Sequence, residues 1–118
     1  MSVRMLTEEN IKDLAIGAAV LGTGGGGDPY IGKLMAIEAI RKHGPVRLVS
    51  LDSVGDDEIV VPAAMMGAPT VMVEKIPNGR EILSAFNALA NYLNKPISAV
   101  LSIEAGGLNS VMPISVAA

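Results

Sequence analysis

Apolar residues recur at helical spacing in three stretches of the chain, each bounded by recognisable start and stop signals. Thr7 can cap the first helix, and Asp28 can cap the second helix, with Pro29 at its first helical position. The third stretch follows an Asn-Gly-Arg-Glu segment that resembles a capping box. The predicted helices run from Thr7 to Leu21, from Asp28-Pro29 to Gly44-Pro45, and from residues 78–81 to Lys95-Pro96.

Four shorter apolar runs predict strands: three lie between the second and third helices, at residues 46–51, 59–66 and 71–76, and one follows the third helix, at residues 97–103. Pro62 restricts the second run to an edge or a bulge, because proline cannot donate to a strand ladder. The run at 71–76 also fits a short helix, and we favour a strand. Helices alternating with apolar strands predict an α/β fold, with layered helices on a small, mostly apolar sheet.

The last apolar run, residues 111–118, predicts a further helix capped by Asn109 or Ser110. This run has no glycine stop, basic last turn or polar tail. We therefore expect residues 1–118 to be a single N-terminal α/β domain, incomplete at its C-terminus and truncated from a longer protein.

Composition and charge narrow the possible functions. The nine basic residues are scattered, the net charge is −3 and only three residues are aromatic, so we expect no nucleic-acid binding. The absence of cysteine excludes disulfides, thiolate catalysis and zinc–thiolate sites, and His43 alone cannot form a histidine cluster. No apolar run reaches the roughly 18 residues of a membrane helix, and Met1–Asn10 lacks the apolar core of a signal peptide. We expect a cytoplasmic protein that makes no membrane contact.

Hydropathy indicates a further contact surface. Half of the residues are hydrophobic, and the mean hydropathy is +0.45. A domain of this size leaves much of its surface exposed, and large apolar patches usually mark interfaces. We therefore expect contacts with a missing C-terminal domain and with further copies in a homo-oligomer.

The glycine run between the first two predicted helices is the main candidate for a ligand site. Consecutive backbone amides without side chains form nests that bind anions or carbonyl oxygens. A dinucleotide-type spacing is present, but that fingerprint must follow a strand rather than a helix. A P-loop is excluded because Leu34 occupies the magnesium-binding hydroxyl position and Pro29 lies within the loop. The predicted substrate contacts are Gly24, Gly25, Gly26 and Gly27.

Asp28 affects which ligand this loop could accept. Its carboxylate would occupy the helix end that attracts anions, so a phosphate would be repelled. A neutral polar ligand such as an amide or a cyclic ureide fits better. The alternative is that the glycine run is only a flexible connector between two helices.

A second glycine turn follows the predicted strand 97–103. Glu104 would lie at the carboxyl end of that strand, where ligands bind in open α/β sheets. Glu104, or Asp28, could act as a general base, whereas a solvated strand-end residue is the alternative for Glu104. Gly106, Gly107 and Asn109 are candidate substrate contacts, although we favour a helix cap for Asn109.

Two other segments are less informative. Residues 65–70 would form a third strand-end loop on the same edge, with the methionines more typical of core than of ligand contacts. The acidic residues 52–58 lack the spacing of a calcium loop and indicate a solvated turn. We predict no metal site and assign no cofactor.

Three motifs in order resemble the N-terminal domain of the S-methyl thiohydantoin desulfurase family, which is often associated with hydantoinase and oxoprolinase subunits. These motifs are LGTGGGGDPY from Leu21, PAAMMGAPT from Pro62 and EAGGLNS from Glu104. The resemblance implies a hydrolase that acts on thiohydantoin- or hydantoin-like rings. Family members are about three times as long as this chain. The resemblance therefore implies that this chain alone is inactive.

Three functional hypotheses follow. The first is a substrate-binding N-terminal domain of such a hydrolase or desulfurase, with a small polar ring as substrate. The second is a non-catalytic accessory subunit or interaction domain of a hydantoinase-type assembly, which the apolar composition suits equally well. The third is a nucleotide-binding module.

Overall fold

The structure is a computed structural model that describes residues 3–75 and 77–118. In chain order the elements are β1 (Val3–Leu6), α1 (Glu8–Leu21), α2 (Pro29–His43), β2 (Val46–Val49), a 3-10 turn (Leu51–Ser53), β3 (Val60–Pro62), α3 (Pro69–Glu74), α4 (Glu81–Leu93), β4 (Ala99–Leu101) and α5 (Met112–Ala117). The α/β class is confirmed.

The predicted starts of the first two helices are confirmed. Thr7 is the N-cap of α1, and its backbone N–H donates to Asn10 Oδ1 at 3.0 Å. Asp28 is the N-cap of α2, where Asp28 Oδ1 accepts the Tyr30 N–H at 2.8 Å. Because both helix starts depend on neighbouring residues, the sequence pattern was sufficient to place them.

The third helix begins later than predicted. Arg80, rather than Asn78, is the N-cap of α4. The Asn78 N–H still donates to Glu81 Oε1 at 3.0 Å. Hydrogen bonds from backbone amides, above all that of Asn78, lower the pKa of Glu81, because they stabilise its charged form.

The four strands form two separate two-stranded sheets, whereas the sequence predicted one small sheet. β1 pairs with β2 in antiparallel orientation, with Val3 opposite Val49 and Leu6 opposite Val46. β3 pairs with β4 in parallel orientation, with Val60 opposite Ala99. The sequence pattern missed β1 because only Leu6 of its four residues is buried, so no buried face shows in the sequence.

The buried apolar residues form two separate cores. The first core joins α1, α2 and α5 to β1–β2 through Leu6, Ile11, Ala18, Ala36, Ile40, Val46, Val111 and Ile114. The second contains Ala63, Ile82, Leu108 and Met112, with several half-buried methionines packed around it. α1 and α2 are also joined by Arg41, whose Nε donates to Glu8 Oε1 at 2.9 Å. This hydrogen bond raises the pKa of Arg41.

Three strand predictions were too long and one was wrong. The strands predicted at 46–51, 59–66 and 97–103 shorten to Val46–Val49, Val60–Pro62 and Ala99–Leu101. The segment predicted as strand 71–76 is helical at Pro69–Glu74, where Pro69 occupies the first turn, and Ile76 lies outside the described residues. Its apolar run is too short for periodicity to separate strand from helix.

None of the described helices is both long enough and apolar enough to cross a membrane.

Candidate functional site

The glycine loop, residues 22–27, packs directly against the turn that contains Gly106 and Gly107. Gly26 C=O accepts two hydrogen bonds, from Leu108 N–H at 3.0 Å and from Asn109 N–H at 3.1 Å. A Cβ at Gly26 would collide with Gly106 Cα, and a Cβ at Gly107 would collide with Gly27 O. The two backbones therefore approach more closely than side chains would allow.

The first part of the glycine loop is open. A Cβ at Gly24 or Gly25 would meet nothing within 4 Å, although Gly24 has a positive φ of 103°. The loop's internal hydrogen bond runs from Gly27 N–H to Gly24 O at 3.3 Å. Among residues 3–75 and 77–118, the amides of Gly24, Gly25 and Gly26 donate to no partner. The loop therefore has an exposed part, Gly24 and Gly25, whose amides are free donors, and a packed part that includes buried Gly26.

Glu104 lies beside this loop, three residues beyond the end of β4 at Leu101. Its side chain is close to both glycine segments: Glu104 Oε1 is 3.0 Å from the position of a Cβ on Gly26 and 3.1 Å from that on Gly106. The residue is exposed. The predicted placement of Glu104 at a strand end is thus found, and the structure adds its proximity to the glycine loop.

Asn109 connects Glu104 to a third segment. Asn109 is only 5% exposed, and its Nδ2 donates to Glu104 Oε1 at 2.7 Å and to Met65 O at 3.2 Å. Asn109 Oδ1 accepts the Met65 N–H at 2.8 Å. The predicted helix cap is wrong for Asn109 and for Ser110, because Val111 is the N-cap of α5 and Ser110 Oγ accepts the Gly106 N–H.

The segment around Met65 faces the glycine loop across a small cavity. β3 and β4 are parallel, so the residues that follow them leave the sheet at the same edge, as predicted for residues 65–70. The cavity has a volume of about 70 Å³. Its lining comprises Gly25, Gly26, Gly27, Met65, Met66, Gly67, Ala68, Pro69, Val71, Met72 and Leu108. The contribution of Met72 and Leu108 was missed, because no local pattern indicates that they share a cavity.

The three segments that meet here are also the three that carry a family resemblance. A family model described as "S-Me-THD-like, N-terminal domain" matches residues 9–118. The chain belongs to this family. No curated protein and no solved structure matches the chain. The match to the S-Me-THD-like domain includes the glycine loop, Met65 and Glu104, and it begins within α1, after β1.

Asp28 has a different setting in the S-Me-THD-like domain. Its carboxylate is exposed and is oriented by the Tyr30 N–H, as a helix cap. No hydrogen bond joins Asp28 to Glu104 or Asn109 within the described parts of the chain. The structure therefore brings together Glu104, Asn109 and Gly24 to Gly27 with Gly106 and Gly107, while Asp28 stands apart from their hydrogen bonds.

Acidic and histidine side chains do not converge in the part of the S-Me-THD-like domain that the structure describes. Within residues 3–75 and 77–118, no group of three or more His, Cys, Asp or Glu residues could hold a metal ion. The groups that the candidate site offers among the described residues are one carboxylate, one buried amide side chain and free peptide amides.

Proposed function

We propose that this domain is the substrate-binding N-terminal domain of a hydrolase or desulfurase, and that it binds a thiohydantoin- or hydantoin-like ring on the open side of Gly24, Gly25 and Glu104. The observation that carries the proposal is the exposed Glu104 carboxylate, held by buried Asn109 beside the glycine loop, in which the exposed amides of Gly24 and Gly25 are unpaired. A ring of this class carries N–H donors and carbonyl acceptors on neighbouring atoms. It can therefore pair with a carboxylate and with peptide amides at the same time.

The hydrogen bonds of Glu104 leave one oxygen for chemistry. Oε1 accepts from Asn109, whereas Oε2 has no hydrogen-bond partner among the described residues. Oε2 can take a proton from a water molecule, which then attacks the ring carbon that bears sulfur. The carbon–sulfur bond breaks, the thiol leaves with a proton, and the ring keeps a carbonyl oxygen from water. Amides that stabilise the developing negative charge contribute roughly 10²–10³ in rate per donor.

Glu104→Gln tests whether the Glu104 carboxylate is the general base. This change keeps the size of the side chain but removes the base, and we expect turnover of an S-methylated thiohydantoin by the full-length protein to fall about 10²-fold or more. The measurement is release of methanethiol at saturating substrate, with the thermal midpoint recorded in parallel. The matched control is Asp57→Asn in the exposed turn before β3, which should leave turnover unchanged.

The results separate the alternatives. Unchanged turnover in Glu104→Gln would contradict the role of Glu104 as the base. Asp28 would then be the remaining candidate base, and Asp28→Asn would test it. Turnover by the full-length protein without any added partner would contradict the accessory-subunit hypothesis. Absence of ring binding and turnover in the wild type would contradict the proposed function itself.

A second part of the proposal is that another domain covers an apolar cleft of this chain. A cleft of about 1730 Å³ is lined by residues of both sheets, α4 and α5, including Phe86 and Ala90. Ile82 is the buried residue of α4, while Leu83, which lines the cleft, is 43% exposed. Parallel sheets are normally covered on both faces, and two-stranded sheets are marginal alone. We propose that the C-terminal domain implied by the family description covers this cleft.

Hydrogen exchange tests whether the C-terminal domain covers the cleft. We expect the amides of α4 to exchange at least tenfold more slowly in the full-length protein than in residues 1–118 alone, because the covering domain suppresses local opening. The amides of α1 serve as the internal control. Equal exchange of α4 in both proteins would contradict the proposal, and a dimer mass for residues 1–118 would assign the cleft to a second copy.

A further inference from the structure

The cleft between the two small sheets is bordered by one strand of each sheet over consecutive residues. Residues 46–51, which include β2, and residues 96–102, which include β4, all line it, whereas β3 contributes only Val60. Successive side chains of a strand point to opposite faces of the sheet, so a cleft that met only one face would be lined by alternate residues. The cleft therefore meets β2 and β4 along their edges.

The backbone of β4 has one paired edge and one free edge. The Ala99 N–H donates to Ile59 O at 3.3 Å, and Leu101 O accepts a hydrogen bond at 3.0 Å from the Ala63 N–H. Both of these β4 residues therefore face β3. Backbone groups of successive strand residues point to opposite sides, so the N–H and C=O of Val100 point away from β3. Among the described residues β3 is the only strand beside β4, which leaves this edge unpaired.

The outer edge of β3 is closed to further pairing, whereas the free edge of β4 is not. The Ala63 N–H points to β4, so the nitrogen of the preceding residue, Pro62, lies on the outer edge, where proline offers no N–H. Residues 97–102 contain neither proline nor a charged residue, which are the usual protection of a free edge. The β3–β4 sheet can therefore be extended at β4 but not at β3.

The order of the elements indicates which segment extends the sheet. β3 and β4 are parallel, and the chain between them contains α3 and α4, as is usual for parallel strands. α5 follows β4 and packs against it, and its end, residues 116–118, borders the cleft. A strand that followed α5 would begin beside the free edge of β4, and the same kind of connection would make it parallel to β4.

We propose that the segment that follows α5 in the full-length protein enters this cleft as a strand parallel to β4, pairs with the free edge of β4, and bridges the cleft towards β2. The carboxyl end of that strand leaves the sheet at the edge where Glu104 follows β4, so it adds side chains to the candidate site. The inference rests on the proposed function, since it assumes that the remainder of the protein covers the cleft. It adds how the two parts join and where the second part reaches the site.

Proline substitutions on the two edges test the pairing in the full-length protein. Val100→Pro removes the N–H on the free edge of β4. We expect it to lower the thermal midpoint by about 5 °C or more relative to Val100→Ala, because proline disrupts a strand that is paired on both sides. Val60→Pro is the matched control, since the Val60 N–H points to the outer edge of β3. Its midpoint should stay within about 2 °C of that of Val60→Ala, and equal effects of the two prolines would overturn the inference.

Amide exchange in the unmodified full-length protein gives a second measurement that does not depend on any variant folding. The Ala63 N–H is the reference, because it is bonded to Leu101 O whether or not a further strand is present. We expect the Val100 N–H to exchange within about tenfold of the rate of the Ala63 N–H. Faster exchange than this would overturn the pairing of β4 with a further strand.

Photo-cross-linking tests the direction of the inserted strand. Ile103 is 61% exposed and lies between the end of β4 and Glu104. A benzophenone amino acid in place of Ile103 in the full-length protein should cross-link, within the same molecule, to a residue that follows position 118. Asp57 is the matched control, because it is exposed and precedes β3 at the opposite edge of the sheet. Capture of the same peptide from Asp57 alone, or of a second copy from Ile103, would overturn the inference.

These outcomes separate the inference from the proposed function. If α4 is protected in the full-length protein but Val100→Pro is tolerated and the Val100 amide exchanges rapidly, another domain covers the cleft without inserting a strand, and only the inference fails. If α4 is not protected, the covering domain fails as well. Turnover of the ring is measured independently of both results, so a protein that passes the strand tests and leaves the ring intact would contradict the proposed hydrolase alone.

Discussion

Gly26→Ala is expected to lower the free energy of unfolding by about 3 kcal/mol, and the thermal midpoint by about 10 °C or more. A Cβ at this position would collide with Gly106 Cα, and would lie 3.0 Å from Glu104 Oε1. The main obstacle is backbone rather than a flexible side chain, so it cannot move aside. The two hydrogen bonds that Gly26 C=O accepts from Leu108 and Asn109 would be strained by any shift of the loop.

Thermal and urea denaturation followed by circular dichroism would measure this effect. Gly25→Ala is a close control, because it adds the same methyl group one residue earlier and meets no atom within 4 Å. Gly17→Ala should even stabilise the protein slightly, since glycine within a helix costs roughly 0.5–1 kcal/mol relative to alanine. Equal stabilities of Gly25→Ala and Gly26→Ala would show that the glycine loop is a connector without close packing.

Asn109→Ala is expected to destabilise the protein by about 2–4 kcal/mol and to lower turnover as well. The buried amide makes three hydrogen bonds, two with the backbone of Met65 and one with Glu104. Removing it leaves backbone groups of Met65 without these partners, which costs roughly 1–3 kcal/mol for each buried group. It also releases the Glu104 carboxylate from its fixed orientation. Denaturation and methanethiol release would measure the two effects separately.

Asn109→Asp separates positioning from packing, because the side chain keeps its shape. A carboxylate would replace the amide that now lies 2.7 Å from Glu104 Oε1. Two facing carboxylates disfavour ionisation, so the pKa of the pair rises above its value in the unfolded chain. The folded state then binds more protons than the unfolded state. The destabilisation should therefore be greatest at neutral pH and should diminish as the pH falls through the pKa of the pair.

The wild type provides the control for this pH profile, which is measured from pH 4 to pH 8 on both proteins. A loss of stability in Asn109→Asp that does not depend on pH would contradict the contact with Glu104. Asn109→Ala should show no such pH-dependent recovery, because it introduces no second carboxylate.

The sequence was most informative where a structure depends on near neighbours. The capping of α2 by Asp28, with Pro29 in its first turn, depends on residues next to each other in the chain. The placement of Glu104 beyond the end of β4 follows from the order of strand and turn. The family was also recognisable from three short motifs, and the family model confirms it over residues 9–118.

The sequence was least informative where a partner is distant. Val3–Leu6 forms a strand only because residues 46–49 lie beside it, and most of its side chains are exposed. Asparagine is a common helix cap, yet the Asn109 side chain accepts a hydrogen bond from the Met65 N–H, 44 residues away. Pro69–Glu74 is helical although its residues suit a strand, which shows that short apolar runs leave the local choice open.

The glycines also show the difference between features set by near neighbours and features set by distant contacts. The sequence by itself determined a run of glycines between two helices, because missing side chains and free amides are local properties. The tertiary structure alone decided that Gly26, Gly106 and Gly107 serve close backbone packing, whereas Gly25 borders an open cavity. The physical reason is that steric exclusion acts between segments about 80 residues apart, and such contacts depend on how helices and strands pack, not on the glycine spacing.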